Sequence, residues 1–323
     1  MSGWRDQVGD LRQLASVRRI VLDDGTERGL RTLAFSTGGG VDFWVLADRS
    51  FDIGPLWYMG CPMAWQSPSG FAHPAQLEPE SDGGTGFNRG FSGLLVTCGL
   101  DHVRQPHGGQ PLHGRLPFTP GRLLAYGENW EGPQPHLYCE GEVVQARYGG
   151  EALRLRRRIT APVGGRSLRI EDTVENIGPE PSACAVLYHL NLGFPAVGAG
   201  TTVSLAGEPI IGPLAFPDAG ASLLPECRPS GEGHVATCLV ETPSEGHAGL
   251  TFRLSYTSES LRYFQTWHDL RPRVGVLSLE PCTSERQEGG RSGRSPTLAP
   301  GDRLSLALEL SIDGLAPAWQ TLR

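Results

Sequence analysis

The sequence predicts an all-β fold, one large antiparallel β-sandwich with few and short helices. Glycine (44) and proline (26) are spread along all 323 residues, which cuts the chain into many short segments without the bias of a low-complexity chain. From residue 123 onward, apolar alternation recurs in strand-length segments separated by Gly- and Pro-bearing turns, the spacing of an antiparallel meander. No linker and no shift of composition divides the chain, so residues 1–323 read as a single domain, with 1–20 as an N-terminal extension.

Taken in order, Trp4, Val8, Leu11, Leu14 and Ala15 recur at roughly helical spacing, and the expectation is a short amphipathic helix over 4–17. After the Asp23-Asp24-Gly25 turn, residues 41–47 are rich in β-branched and aromatic side chains and read as a strand, ended by the polar run Asp48-Arg49-Ser50-Phe51-Asp52-Ile53-Gly54. Residues 70–90 are irregular and rich in Gly, Pro, Asp and Glu, as expected of a surface loop that borders a site. The next stretch, 93–115, begins as a buried strand closed by Gly99. It ends in a loop carrying Asp101, His102, His107, His113 and Arg115, which packing alone does not require.

The meander then covers 137–148, 152–161, 167–176 and 183–190. In its central hairpin, closed by Pro162-Val-Gly-Gly-Arg166, the register that opposes Ile159 with Ile170 and Leu155 with Val174 sets Arg157 opposite Asp172 on the inward face. An unpaired charge there would be costly, so the two are expected to form an ion pair. Further strands are expected over 201–205, 249–256, 261–267, 274–279 and 303–312, with a Gly/Arg/Ser-rich loop over 284–301.

Composition excludes several functions. The net charge is −7, and all 28 basic residues are arginine. There is no basic stripe to hold a phosphate backbone, and without lysine there is no P-loop. Nucleic acid is therefore not an expected partner. The seven cysteines are scattered, odd in number and without a Cys-x-x-Cys pair, which fits reduced thiols better than disulfides or a zinc knuckle. The N-terminus lacks an apolar signal core, and no run approaches the ~20 apolar residues of a membrane span. The expectation is a soluble, cytoplasmic protein with no membrane partner.

Three segments set a titratable residue against an apolar strand: Pro111-Leu-His113-Gly-Arg115, Tyr188-His189-Leu-Asn191, and Leu279-Glu280-Pro281. His189 and Glu280 are expected at the ends of buried strands, where a carboxylate must be paired, hydrogen-bonded or functional. Two histidines and a glutamate suit general acid–base work on a small substrate. The bland alternatives are a loop histidine, a satisfied core histidine and a structural ion-pair partner. His102, His107 and His113 could also hold a divalent ion, but their spacing matches no usual ligand pattern, and neither metal nor cofactor is expected.

Together with Asp48-Arg-Ser-Phe-Asp-Ile-Gly54, Ala64-Trp-Gln-Ser-Pro68, Gly93-Leu-Leu-Val-Thr-Cys-Gly-Leu-Asp101, Tyr188-His-Leu-Asn-Leu-Gly-Phe-Pro195 and Leu298-Ala-Pro-Gly-Asp302, these segments resemble the aldose 1-epimerase (galactose mutarotase-like) superfamily, most closely its DUF4432 branch. The resemblance implies a galactose mutarotase-like supersandwich with a carbohydrate cleft. It also implies His113, His189 and Glu280 as the catalytic set for opening and reclosing a sugar ring. In that scheme ionised Glu280 takes the proton of the C1 hydroxyl, protonated His189 donates to the ring oxygen, and His113 hydrogen-bonds the same region. The chain departs from the better-characterised mutarotases in reading Tyr-His-Leu-Asn-Leu-Gly for the usual His-Pro-Tyr-Phe-Asn-Leu, and in lacking an Asn before Leu-His-Gly.

Arg49, Asp52, Trp65, Gln66, Asp101, Arg115, Asn191 and Trp267 are the candidate sugar contacts, because sugars are held by polar forks and aromatic faces. The expected partner is a small-molecule carbohydrate, with a second copy of the chain as the other candidate. Two alternatives stand beside the epimerase reading. One is a carbohydrate-binding or regulatory protein without turnover. The other is an isomerase or lyase of an acidic or phosphorylated sugar gripped by Arg49 and Arg115.

Overall fold

The computed structural model describes residues 2–219, 225–244 and 247–314. Two large antiparallel sheets dominate it. The first runs in the order Ser16–Val21, Arg31–Ser36, Val41–Leu46, Asp52–Tyr58, Leu95–Leu100, Ala185–Gly193, Val276–Cys282, Tyr263–Asp269, Glu226–Pro229. The second runs Glu208–Ile211, Thr202–Leu205, Val235–Ser244, His247–Thr257, Arg303–Asp313, Ser167–Asn176, Ala152–Pro162, His136–Ala146, Arg122–Asn129. Ser182–Ala183 and Thr297–Leu298 form a small third pair. One apolar cluster draws on both large sheets, with Phe43, Ile53, Tyr188 and Leu190 from the first and Leu155, Ile170, Leu254 and Leu308 from the second.

The second sheet alternates as its sequence does: Ser167–Asn176 buries every other residue and leaves the rest half-buried or exposed. The centre of the first sheet differs. All nine residues of Ala185–Gly193 and all seven of Val276–Cys282 are buried. The core covers one face of these strands, and the chain around Phe87, Val103 and Leu112 covers the other.

Ile159 faces Ile170, Arg157 faces Asp172 and Leu155 faces Val174, the register expected from the hairpin pattern. Arg157 and Asp172 form a bidentate pair at 2.9 and 2.6 Å. The guanidinium also reaches across to the first sheet, to the Ser50 and Phe51 carbonyls at 3.3 Å and to Asp52 at 3.4 Å. It lies under the Tyr188 ring, whose hydroxyl donates to Asp172 at 2.6 Å. Burial opposes the Arg157 charge, but Asp172, Tyr188 and Asp52 outweigh it and raise its pKa above the ordinary arginine value. Asp52 is the weaker partner. Burial raises its carboxyl to about 6, although Arg157 and the Thr97 N–H at 2.9 Å oppose the rise.

Three expectations need correction. The helix over 4–17 is not formed. Only Ser2–Arg5 is helical, Asp10 caps a 3-10 turn at Leu11–Gln13, and Ser16–Val21 is a strand beside Arg31–Ser36. Burial of Ala15 and Val17, together with the ladder hydrogen bonds, outweighs a weak helical spacing. His189 and Glu280 are not at strand ends, because their strands run on to Gly193 and Cys282. Both strands are paired on each side, so pairing continues through the polar positions. Residues 70–90 are more ordered than expected of an irregular loop, with short helical turns at Pro74–Gln76, Ser81–Gly84 and Phe87–Gly90.

Two outcomes follow. Arg157→Ala strands the Asp172 carboxylate in the core and should lower the unfolding free energy by about 3–5 kcal/mol in urea titration; a loss below about 1 kcal/mol would show the network to be dispensable. Because the folded state holds the Asp52 proton more tightly than an unfolded chain does, its stabilising contribution is complete below about pH 4 and is lost as pH climbs through about 6. Asp52→Asn lacks that loss, so its melting temperature relative to the parent protein should rise from about pH 4.5 to about 7.5, and a flat or falling difference contradicts the assignment.

Candidate active site

The site is built on the outward face of the first sheet by strand alternation and register. Val186, Tyr188, Leu190 and Leu192 point into the core, so Leu187, His189 and Asn191 point the other way. Asn191 pairs with Ser278 and Leu187 with Cys282, which sets His189 opposite Glu280. Glu280 pairs in turn with Gln265, and Ser278 with Trp267. Two parallel rows result, His189–Glu280–Gln265 and Asn191–Ser278–Trp267. The first forms the floor of a cavity of about 280 Å³ whose walls include Phe87, Phe91, Arg104, His113, Trp267 and Arg286.

The hydrogen bonds assign the protons. Asn191 Nδ2 donates to the carbonyls of Gly93 and His189 at 3.1 and 3.0 Å, which fixes its amide orientation. Its Oδ1 accepts from the Ser278 hydroxyl at 2.9 Å and lies 2.6 Å from His189 Nδ1, so Nδ1 must carry a hydrogen. His189 is left to exchange protons through Nε2, which lies 3.5 Å from Glu280 Oε1. The other Glu280 oxygen accepts from Gln265 Nε2.

His113 has the opposite tautomer. Its Nδ1 accepts the backbone N–H of Arg104 at 3.3 Å, while its own backbone N–H donates to the Arg104 carbonyl at 2.9 Å. A neutral His113 therefore presents Nε2–H. Burial, reinforced by His189, Arg104, His102 and Arg286, holds its pKa well below the ordinary histidine value, so it is a hydrogen-bond donor at neutral pH and not an acid. Its ring centroid is 5.5 Å from that of His189. The residue has a left-handed backbone, φ 61°, of a kind that concentrates at functional sites. Gly114 follows at φ 73°, where a Cβ would lie 2.4 Å from the His102 carbonyl oxygen and 2.6 Å from that of Gly99. Only glycine fits there.

The family described as a domain of unknown function, DUF4432, matches residues 27–212. The chain belongs to the DUF4432 family. No curated protein matches the sequence. Among solved structures, a candidate aldose 1-epimerase from Klebsiella pneumoniae shares 19% identity and a TM-score of 0.81 over 96% of this chain and 86% of the other. A galactose mutarotase-like protein from Clostridium acetobutylicum shares 13% identity and a TM-score of 0.62 over 93% and 98%. The Slr1438 protein from Synechocystis shares 14% identity and a TM-score of 0.62 over 91% and 99%. At these identities the likeness establishes the galactose mutarotase-like fold.

In this DUF4432 chain the cavity brings together four of the residues expected from sequence, His113, His189, Trp267 and Glu280. Asn191 stands behind His189 as its orienting partner. Trp65 and Gln66 line a neighbouring depression, and Trp65 braces the cavity wall by packing a tilted ring against Phe91, centroids 5.1 Å apart, while its Nε1–H donates to the Val274 carbonyl at 2.8 Å.

The remaining expected contacts lie elsewhere. Arg49 and Asp52 are sealed beneath the sheet, Arg49 donating to the Gly90 carbonyl and Asp52 held in the Arg157 network. Asp101 and Arg115 pair with each other at 2.6 Å, and Arg115 also holds Glu80 at 2.7 Å. Charge at a strand end is equally consistent with facing a cleft or facing a counter-ion, and here the counter-ions prevail. His102 turns to the Gln105 carbonyl and His107 is exposed. Among the described residues no three metal-ligating side chains converge.

Sequence reasoning missed Phe87, Phe91, Arg104, Gln265 and Arg286. Only Gln265 carried a usable signal, as a polar break in a strand otherwise reading Tyr-Phe-x-Thr-Trp. Histidine side-chain 15N NMR checks the proton assignment. His189 should show hydrogen at Nδ1, and His113 should show hydrogen at Nε2 and take up a second proton only well below the usual histidine midpoint. The reverse tautomers would overturn it.

Proposed function

We propose that this protein is an aldose 1-epimerase-like isomerase, which interconverts the anomers of a monosaccharide or sugar derivative. The observation that carries the reading is the pairing of His189 Nε2 with Glu280 Oε1 at 3.5 Å on the floor of a monosaccharide-sized cavity, with the His113 Nε2–H on the same cavity. Ring opening needs a base at the C1 hydroxyl and an acid at the ring oxygen. Glu280 takes the hydroxyl proton and His189 delivers its Nε2 proton to the ring oxygen as the C1–O bond breaks. Rotation about C1–C2 presents the other face of the aldehyde, and closure returns both protons to their owners. No redox partner enters the balance.

His113 donates a hydrogen bond to a sugar oxygen and holds the ring in place. Phe87, Phe91 and Trp267 offer apolar faces to the C–H side of a sugar. In the better-characterised mutarotases the second motif contributes aromatic residues that this chain lacks, and Phe87, Phe91 and Trp267 supply aromatic faces to this cavity instead. The seven free cysteines support a cytoplasmic setting. Among the described residues no helix is long and apolar enough to cross a membrane.

Saturation-transfer NMR across a panel of sugars tests the proposal. Glu280→Gln should reduce anomer exchange by about 10²–10⁴-fold with the fold intact, and His189→Asn by a similar factor. Retention of exchange in Glu280→Gln would remove the assigned base. Sugar binding without exchange in the parent protein would leave a carbohydrate-binding protein.

A further inference from the structure

We propose that the sugar carries an anionic oxyanion substituent, which Arg286 grips inside the cavity. This rests on the reading of the cavity as a monosaccharide site. Of the residues lining it, Glu280 is the one carboxylate, against two guanidiniums, Arg104 and Arg286. A neutral sugar asks for no such excess.

The other charges are already committed. Glu280 is engaged by Gln265 and His189. Arg104, 1% exposed, donates to Gln265 at 3.0 Å and to the Ser284 hydroxyl and carbonyl at 2.9 and 2.7 Å, with no carboxylate among its acceptors. Two sulfurs also lie beside it, Cys282 at 3.3 Å and Cys227 at 3.5 Å. The hydrogen bond with Cys282 and then Arg104 lower the Cys227 thiol below the ordinary cysteine value.

Among the described residues Arg286 has no hydrogen-bonded counter-ion at its guanidinium, although Glu280 and the Cys227 sulfur attract it from a distance. Half-buried on the loop after Val276–Cys282, it forms no ion pair with any described carboxylate. Burial and then the like charge of Arg104 press its pKa below the ordinary arginine value. The Arg104 and Arg286 charges repel each other beside one small cavity, and a ligand anion relieves both the repulsion and the desolvation. A guanidinium fork matches carboxylate and phosphate bidentately. Because exchange needs a free C1 hydroxyl, the anion sits on another carbon, as in a uronic acid or a sugar phosphate monoester at a distal hydroxyl. The grip expected of Arg49 and Arg115 thus passes to an arginine that no motif marks.

Calorimetry and anomer-exchange NMR on the intact protein, comparing glucose and galactose with glucuronate, galacturonate and glucose 6-phosphate, test this. At least one acidic sugar should bind about tenfold or more tightly than its neutral counterpart, with the advantage shrinking in high salt. Arg286→Gln should erase that advantage, mainly through KM, while Arg286→Lys retains part of it and both variants keep the parent melting temperature. The uronate and phosphate arms distinguish the two sources of the anion. Neutral sugars bound equally well or better, an acid preference that survives Arg286→Gln, or no binding across the panel would each overturn the proposal. Acidic sugar bound without exchange would uphold it and defeat the epimerase reading. Exchange of neutral sugars without acid preference would do the reverse.

Discussion

The structure depends on one buried cation. Arg157 rises from the second sheet, pairs with Asp172 beside it, and reaches Asp52 and two carbonyls of the first sheet while lying under the Tyr188 ring. Taking such a group out of water costs several kcal/mol, and a well-packed apolar substitute would often serve stability as well. What the cation adds is position. Its acceptors are satisfied in one register of its own hairpin and one placement of the first sheet. Tyr188, whose hydroxyl completes the network, is the residue immediately before His189.

That link explains why the chemistry can be built on strands. A slip of one residue in Ala185–Gly193 would turn His189 into the core and bring Leu190 to the cavity. With register pinned from below, the two rows above it follow from pairing alone, and Asn191 can hold His189 through a bond whose direction is unambiguous. The walls are different in kind. Phe87, Phe91, His113 and Arg286 come from connecting segments, which vary more readily than the strands they join.

The same division decides what could be read in advance. The alternation in 152–161 and 167–176 was strong enough to yield the register and the Arg157–Asp172 pair, because one face had to be apolar throughout. His189 and Glu280 were legible as titratable side chains interrupting apolar runs, although the strands continue past them. Arg104 and Arg286 were not legible. A loop arginine looks the same whether it faces a cavity, a carboxylate or solvent, and Arg49 and Arg115 were misplaced for that reason. The N-terminal segment failed differently, since five apolar residues suit one face of a helix or a strand with irregular turns, and the neighbouring edge at Arg31–Ser36 chose between them.

Arg104 belongs to both regions at once. Its side chain holds Gln265, and through it Glu280, while its backbone is bonded in both directions to His113. Glu280 on the strands and His113 on the loop therefore hang from a single residue. Any drift of the loop that moves His113 also shifts the Glu280 carboxylate, so the two groups cannot be adjusted separately at this position.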